Sequence, residues 1–195
     1  MLIVIEGSDK AGKSTQAQML ADKLKREGFS VATMAFPDYS TKIGEEIRAF
    51  LHGKKDYPVE VRHMLLSANR WEKRAEIGKM LKENNAVILN RYYQSNLVYG
   101  VASGLKLEWL QSLDAGLPKE DTVIVLDVTP EVSIKRMKSK GDVFEMNDDM
   151  MSKVFKLYRE LADKYGWILV NGDRSREDVH KEIAQIIENK IKQKH

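Results

Sequence analysis

The sequence predicts an α/β fold of three layers, a five-stranded parallel sheet with helices on both faces. Three observations predict it. Five short apolar runs, Leu2–Ile5, Val31–Ala35, Ala86–Leu89, Val123–Leu126 and Trp167–Val170, are partly β-branched and show no clean apolar–polar alternation, as strands covered on both faces do not. Segments with helical spacing lie between these runs, and alternating strands and helices give a parallel sheet with right-handed crossovers. No internal repeat, low-complexity tract or Pro/Gly-rich linker divides the 195 residues, so a single domain over 1–195 is expected.

The elements follow in order. The first strand, Leu2–Ile5, runs into "GSDKAGKS" (7–14), and a helix opens near Lys13. Ala17, Leu20 and Leu24 form one face of that helix, which stops at Gly28 in a C-terminal capping position. Val31–Ala35 is the second strand. The segment from Pro58 to about Asn84 reads as the longest helix, and the third strand then ends on Asn90 and Arg91. After the fourth strand, Thr129 is a helix N-cap with Pro130 at the first helical position. A further helix starts near Asp148, and Ser175 with Asp178 resembles a capping box that opens the last helix.

Composition excludes several classes. Net charge is +3, from 32 basic and 29 acidic residues, a mixed balance that argues against binding a nucleic-acid polymer. The chain has no cysteine, which removes disulfides and thiolate zinc sites. No apolar run approaches a membrane span, and "MLIVIEG" lacks the basic region and cleavage site of a signal peptide. A cytoplasmic location and no membrane partner are expected. His52, His63, His180 and His195 are scattered, with no metal or triad spacing.

"GSDKAGKS" matches G-x-x-x-x-G-K-[ST] between a strand and a helix, the context that makes it a phosphate-binding P-loop. Gly7 and Gly12 allow the backbone to aim successive N–H groups into one concavity. The helix start adds its positive dipole end. Lys13 supplies a charge for the β- and γ-phosphates, and the Ser14 hydroxyl suits Mg²⁺. The fold class is therefore the P-loop NTPase sandwich. Asp9 within the loop would repel phosphate, so its expected partner is a sugar hydroxyl or another group of a second substrate. Lys10 adds a second cation. For both, solvent exposure is the alternative.

With "AFPDYSTKIG" (35–44), "LLSANRWEK" (65–73), "NRYYQSN" (90–96), "LDVTPEVSIKRMKSKGDVFE" (126–145) and "VNGDRSREDVHKEI" (170–183), the whole chain resembles the thymidylate kinase family of P-loop nucleoside monophosphate kinases. The resemblance implies phosphoryl transfer from ATP to dTMP, giving dTDP and ADP for dTTP synthesis, with Mg²⁺ as cofactor. It implies ATP binding by Gly7, Ser8, Asp9, Lys10, Ala11, Gly12, Lys13, Ser14 and Thr15. It places the acceptor nucleotide against Asp9, Phe36, Pro37, Tyr39, Leu66, Arg70, Arg91, Asn96 and Tyr99. In it, Arg70 meets the thymine edge, Asn96 faces the base, Tyr99 crowds the sugar 2′ position, and Phe36 and Pro37 wall the acceptor phosphate. Arg91 holds that phosphate, and with Lys13, Lys10 and Asp9 makes the catalytic set. A lid around 138–149, with Lys138, Lys140 and Arg136 as candidate cations, closes over ATP. A homodimer paired through acceptor-side helices is also implied. From the residues alone, Arg70 reads as a surface arginine and Tyr99 as a core tyrosine.

Four positions depart from the family pattern. Asn90 replaces the usual aspartate of the metal site, which with Ser14 makes the metal-binding pair here. Phosphates plus Ser14 suffice for Mg²⁺, or Glu6 or Asp9 compensates, or the kinase is slow. Leu66 replaces a phenylalanine that stacks on thymine, which leaves open a broader deoxynucleoside monophosphate kinase. Tyr39 replaces an arginine, as in other members. Ser139–Asp149 carries no arginine. Asn90 also leaves open a nucleotide-binding regulator of weak activity.

Overall fold

The structure is a computed structural model that describes residues 1–136 and 148–193. Its elements run β1 (Leu2–Gly7), α1 (Lys13–Arg26), β2 (Val31–Ala35), α2 (Lys42–Leu51), α3 (Val59–Glu72), α4 (Arg74–Glu83), β3 (Ala86–Asn90), α5 (Tyr93–Ala102), α6 (Leu107–Leu113), β4 (Thr122–Asp127), α7 (Pro130–Arg136), α8 (Asp148–Tyr165), β5 (Ile168–Asn171) and α9 (Arg176–Lys192). The five strands form one sheet in the order β2-β3-β1-β4-β5, and every pairing is parallel.

The central strands β3, β1 and β4 do not alternate because both faces are covered, whereas the edge strands are only partly covered, β2 exposing Thr33 and Ala35 and β5 exposing Leu169 and Asn171. Ile3, Ile5, Ile88 and Ile124 pack with Leu20 and Leu24 of α1 and Val179 and Ile183 of α9. Leu2, Val4, Val87, Leu89 and Val125 face the other way, towards Ile77 of α4, Leu97 and Val98 of α5, and Val154 and Leu161 of α8. A side cluster of Ile47, Phe50 and Leu51 takes in Tyr39, Leu65 and Leu66, which fixes α2 and α3 as a wall beyond β2.

Helix α1 ends as its sequence requires. Gly28 has φ 88°, its N–H donates to Lys25 O, and Phe29 N–H donates to Leu24 O at 3.0 Å, the two bonds of a Schellman cap. At the last helix Ser175 Oγ accepts from Asp178 N at 3.1 Å, and α7 begins at Pro130 as expected. β2 keeps its expected limits, the other strands shift by one or two residues at an end, and β5 starts at Ile168 rather than Trp167.

One expectation is corrected. The segment from Pro58 to Asn84 is two helices, broken at Lys73. Its backbone turns at φ −95°, ψ −1°, and its N–H reaches back only three residues, to Arg70 O at 3.1 Å. The side chain is anchored at the same point. Lys73 Nζ lies 2.8 Å from Asp38 Oδ2 in the loop after β2, and this ion pair holds Asp38 down to about 2. Asn69 ties the same loop by accepting Asp38 N–H at 2.7 Å. Among the described residues the longest helix is α8, with 18 residues.

Candidate active site

The C-terminal ends of β1, β2 and β3 open into a cavity of about 820 Å³, the place where parallel α/β sheets present their ligands. Its floor is the loop between β1 and α1. Gly7 has φ 138°, and a Cβ there would stand 2.8 Å from Leu126 O, so the turn and the close approach to β4 both require glycine. Lys13 is buried, with Nζ donating to Ser8 O at 2.5 Å and 3.9 Å from Asp9 Oδ1. Lys10, Gly12, Lys13, Ser14 and Thr15 line the cavity, whereas Ser8 and Ala11 are buried beneath the loop. Helix α7 braces the loop from behind. Ser133 Oγ donates to Asp9 O at 3.0 Å, and Arg136, which also reaches the cavity, donates to Ala11 O and Gly172 O.

Arg91 stands opposite. It follows β3 in a left-handed conformation, φ 66°, with its N–H still bonded to Ile5 O of β1 at 2.9 Å. That turn carries the guanidinium over the loop. Nη2 donates to Asp9 Oδ1 at 2.5 Å, Nη1 donates to Ser95 Oγ at 3.1 Å, and the group lies 5.6 Å from the Tyr99 ring centre. Burial works against its charge. Tyr99, Asp9, Tyr158 and Glu6 outweigh it and lift the group well above the ordinary arginine value. Asp9 thus meets Arg91 directly.

Glu6 supports this arrangement from below. It is fully buried and accepts from Tyr92 N, Ser95 N, Ser95 Oγ and Tyr158 Oη, at 2.9, 3.1, 2.6 and 3.0 Å. A carboxylate at the N-terminus of α5 answers the open N–H groups and the helix dipole. With both oxygens used, Glu6 has no capacity for a metal, and Asp9 is held by Arg91. Asn90 Nδ2 lies 2.9 Å from Ser14 Oγ, and its Oδ1 is buried with no partner among the described residues. The Ser14 hydroxyl, with the Asn90 amide nitrogen turned to it, fits as one ligand of a cation whose remaining ligands are phosphate oxygens and water. Among the described residues no group of three or more His, Cys, Asp or Glu side chains could hold a metal ion.

The far wall holds the remaining sequence-predicted residues: Phe36, Pro37, Tyr39, Leu66, Arg70, Asn96 and Tyr99 all line the cavity. The Phe36–Pro37 peptide is cis. Tyr39 carries Arg48 over its ring at 4.9 Å. Tyr99 is 6% exposed and is both core and lining. Arg70 is not a surface arginine. It is 3% exposed and pairs with Asp114. The Asn96 amide is spent on His63: Oδ1 is 2.6 Å from Nδ1, and Nδ2 donates to His63 O at 3.3 Å. Burial pushes His63 down to about 4. Sequence reasoning missed Asp114, His63, Tyr158 and Ser95, whose partners lie far away along the chain. Lys138, Lys140 and most of the expected lid lie outside the described residues.

Comparison with known proteins supplies the family. The thymidylate kinase family model matches residues 5–183. The chain is 37% identical to the thymidylate kinase of Schizosaccharomyces pombe, covering 96% of this chain and 91% of that one. It is 32% identical to the thymidylate kinase of Homo sapiens, over 98% and 91%. A solved thymidylate kinase from Candida albicans superposes with a TM-score of 0.84 at 32% identity, over 97% and 91% of the two chains. That structure is described as revealing the origin of broad substrate specificity and a novel structural element.

Proposed function

The chain belongs to the thymidylate kinase family, and on that premise we propose that it transfers the γ-phosphoryl group of ATP to the phosphate of dTMP, giving dTDP and ADP. The observation that carries the reading is Arg91. Its guanidinium joins the phosphate loop, through Asp9, to the wall that carries Arg70 and Tyr99. Donor and acceptor phosphates that meet in the cavity share this one fixed cation.

Phosphoryl transfer has a loose transition state with charge spread over the phosphoryl oxygens, so positioning and electrostatics supply most of the catalysis. Lys13 and the loop amides hold the β- and γ-phosphates. Arg91 spans acceptor phosphate and transferred group with a forked donor set, and Lys10 adds charge from the loop side. A phosphate oxygen is already a nucleophile at neutral pH, so no general base is needed. Asp9 keeps Arg91 oriented and, from the cavity lining, orients the acceptor sugar. Tyr99 and the Phe36–Pro37 pair shape the space around sugar and phosphate. Mg²⁺ fits beside Ser14 and Asn90, where it would neutralise the β- and γ-phosphate oxygens.

Formation of ADP from MgATP is the test, with each nucleoside monophosphate in turn and the product identified by chromatography. Efficient dTDP formation from dTMP is expected. Absence of transfer to any acceptor, with ATP still bound, would leave a nucleotide-binding regulator. Leu66, which lines the base wall without an aromatic face, favours a second reading, a kinase of broader deoxynucleoside monophosphate range. Comparable turnover of dTMP, dUMP and dGMP would establish it.

The family relationship also supports a homodimer. Light scattering should give twice 22.4 kDa, and the monomer mass would refute it. No described helix is long and apolar enough to cross a membrane, and with the mixed charge this supports a cytoplasmic enzyme supplying dTTP synthesis. A single domain over 1–195 completes the reading, and the lid expected around 138–149 lies almost wholly outside the described residues.

A further inference from the structure

Behind the base wall lies a buried ion pair. Arg70, on α3, turns one edge of its guanidinium onto Asp114, just beyond α6. Nε donates to Oδ1 at 2.9 Å and Nη2 to Oδ2 at 2.8 Å. The two side chains are 4% and 2% exposed. Ser67 Oγ, one turn earlier on α3, lies 2.9 Å from both the same Oδ1 and Leu113 O and shares its one hydroxyl proton between them. Trp71 Nε1, one residue past Arg70, also donates to Leu113 O, at 2.7 Å. The carboxylate is therefore held by three donors, and the chain carrying it is pinned to α3.

A bidentate pair of this kind fixes the plane of the guanidinium as well as its position. It uses Nε and Nη2. The third nitrogen, Nη1, has no hydrogen-bond partner among the described residues and is the part of the group left to the cavity that Arg70 lines. It is a donor that cannot become an acceptor. Its partner has to be an oxygen or another acceptor.

We propose that Asp114 is a specificity-determining positioning residue. By holding Arg70 edge-on, it makes Nη1 a fixed donor in the base wall, so that the site admits nucleotides with a base carbonyl at that point and rejects those with an exocyclic amino group. Without Asp114 the guanidinium can swing or recede, and the wall no longer distinguishes carbonyl from amine. Discrimination is strong where a wrong base leaves a buried polar group facing its like. The inference rests on the reading of the cavity as a deoxynucleoside monophosphate site.

The test compares dUMP with dCMP, which exchange a carbonyl for an amino group and alter the adjoining ring nitrogen. In Asp114→Asn, KM for dTMP is expected to rise about tenfold, and the dUMP-over-dCMP preference in kcat/KM to fall by about as much. KM for ATP should stay within about twofold, because the phosphate loop is untouched. In an Arg70→Gln background the same change should add little, since Asp114 acts through Arg70. A melting shift without change in KM or preference overturns the proposal, as do losses that simply add to those of Arg70→Gln. If Asp114→Asn does not fold, Ser67→Ala decides: it removes one of the three donors, and an unchanged dUMP-over-dCMP preference overturns the proposal, while a smaller fall supports it. Wild-type enzyme that phosphorylates dTMP and dCMP alike overturns the functional reading and this inference together. Selectivity in the wild type that survives in the variants overturns this inference alone.

Discussion

Lys10 and Arg91 both hold left-handed backbone, at φ 58° and φ 66°. Such a conformation costs a non-glycine residue on the order of 1–3 kcal/mol. Each places its cation at the rim of the same cavity. Lys10→Gly relieves the strain and removes the charge, while glycine returns about 0.5–1 kcal/mol of unfolded-state entropy cost. The melting temperature should therefore hold or rise as kcat falls about tenfold, a loss smaller than for a sealed transition-state donor because Lys10 is exposed. An unchanged kcat would make Lys10 a solvated side chain. Asn90 sets the second prediction at this scale. Its amide is 2.9 Å from Ser14 Oγ, and its other terminal atom has no partner among the described residues. In Asn90→Asp the Ser14 hydroxyl becomes the donor and a carboxylate oxygen faces the cation position. The Mg²⁺ concentration for half-maximal thermal stabilisation by ATP should fall on the order of tenfold. No change in that midpoint would remove position 90 from the metal site.

His63 is the fastener between two elements, α3 and α5, through both ends of the Asn96 amide. Its ring is fully buried, and burial, with Arg70 and Arg62 nearby, depresses it to about 4 from 6.5 despite Asn96 and Asp114. The sign follows from proton uptake. Below pH 6.5 the unfolded chain binds a proton that the folded chain refuses until about pH 4. The stability is present above the unfolded value and is lost as pH falls through that window, by about 3 kcal/mol in total. Denaturant titrations at pH 7, 6, 5 and 4 should show it, and His63→Gln should flatten the profile by that amount; equal slopes for the two proteins would refute it. Sequence reasoning passed over this histidine because its partner lies 33 residues away. The same distance problem hid α5. Nearly all of its residues are buried, so no amphipathic period marks it, and the carboxylate at its N-terminus is Glu6 of β1. The break at Lys73 carries no local signal, and the partner its side chain finds there, Asp38, lies in a loop 35 residues away along the chain. What is encoded by neighbours was legible: the phosphate loop, the Gly28 cap, the Ser175 cap.

At the scale of the molecule, sheet order explains why scattered residues meet. β1 lies between β3 and β4 and β3 between β1 and β2, so the phosphate loop after β1 and Arg91 after β3 emerge side by side. Apolar runs reveal that strands exist but not their order, because the half-exposed edge strands β2 and β5 are as apolar in sequence as the buried central three. The two faces of the sheet share packing through α8, whose Val154 and Tyr158 join the cluster of α4 and α5 while Met151 and Phe155 join that of α1 and α9. Tyr158 makes the link polar as well, donating to Glu6 at 3.0 Å beneath the loop. Such a molecule should unfold as one cooperative unit. The three tryptophans report on separate regions: Trp71 on α3, Trp109 on α6, and Trp167 beside β5. Far-UV circular dichroism follows helices throughout. Both signals should melt at one temperature. Ligand extends the argument, because dTMP touches only one wall. At a hundredfold over its Kd it adds about 2.7 kcal/mol of stability, or roughly 5–10 °C for a chain of this size. In a single cooperative unit both signals shift by the full amount. If the wall of α2 and α3 unfolded separately, dTMP would move part of the fluorescence transition and leave the dichroism of α1 and α9 where it was. Coincident curves that shift together with dTMP would show that the base wall and the phosphate loop belong to one folding unit. Split curves would show that the acceptor side is an independent element, held to the sheet only while its nucleotide is bound.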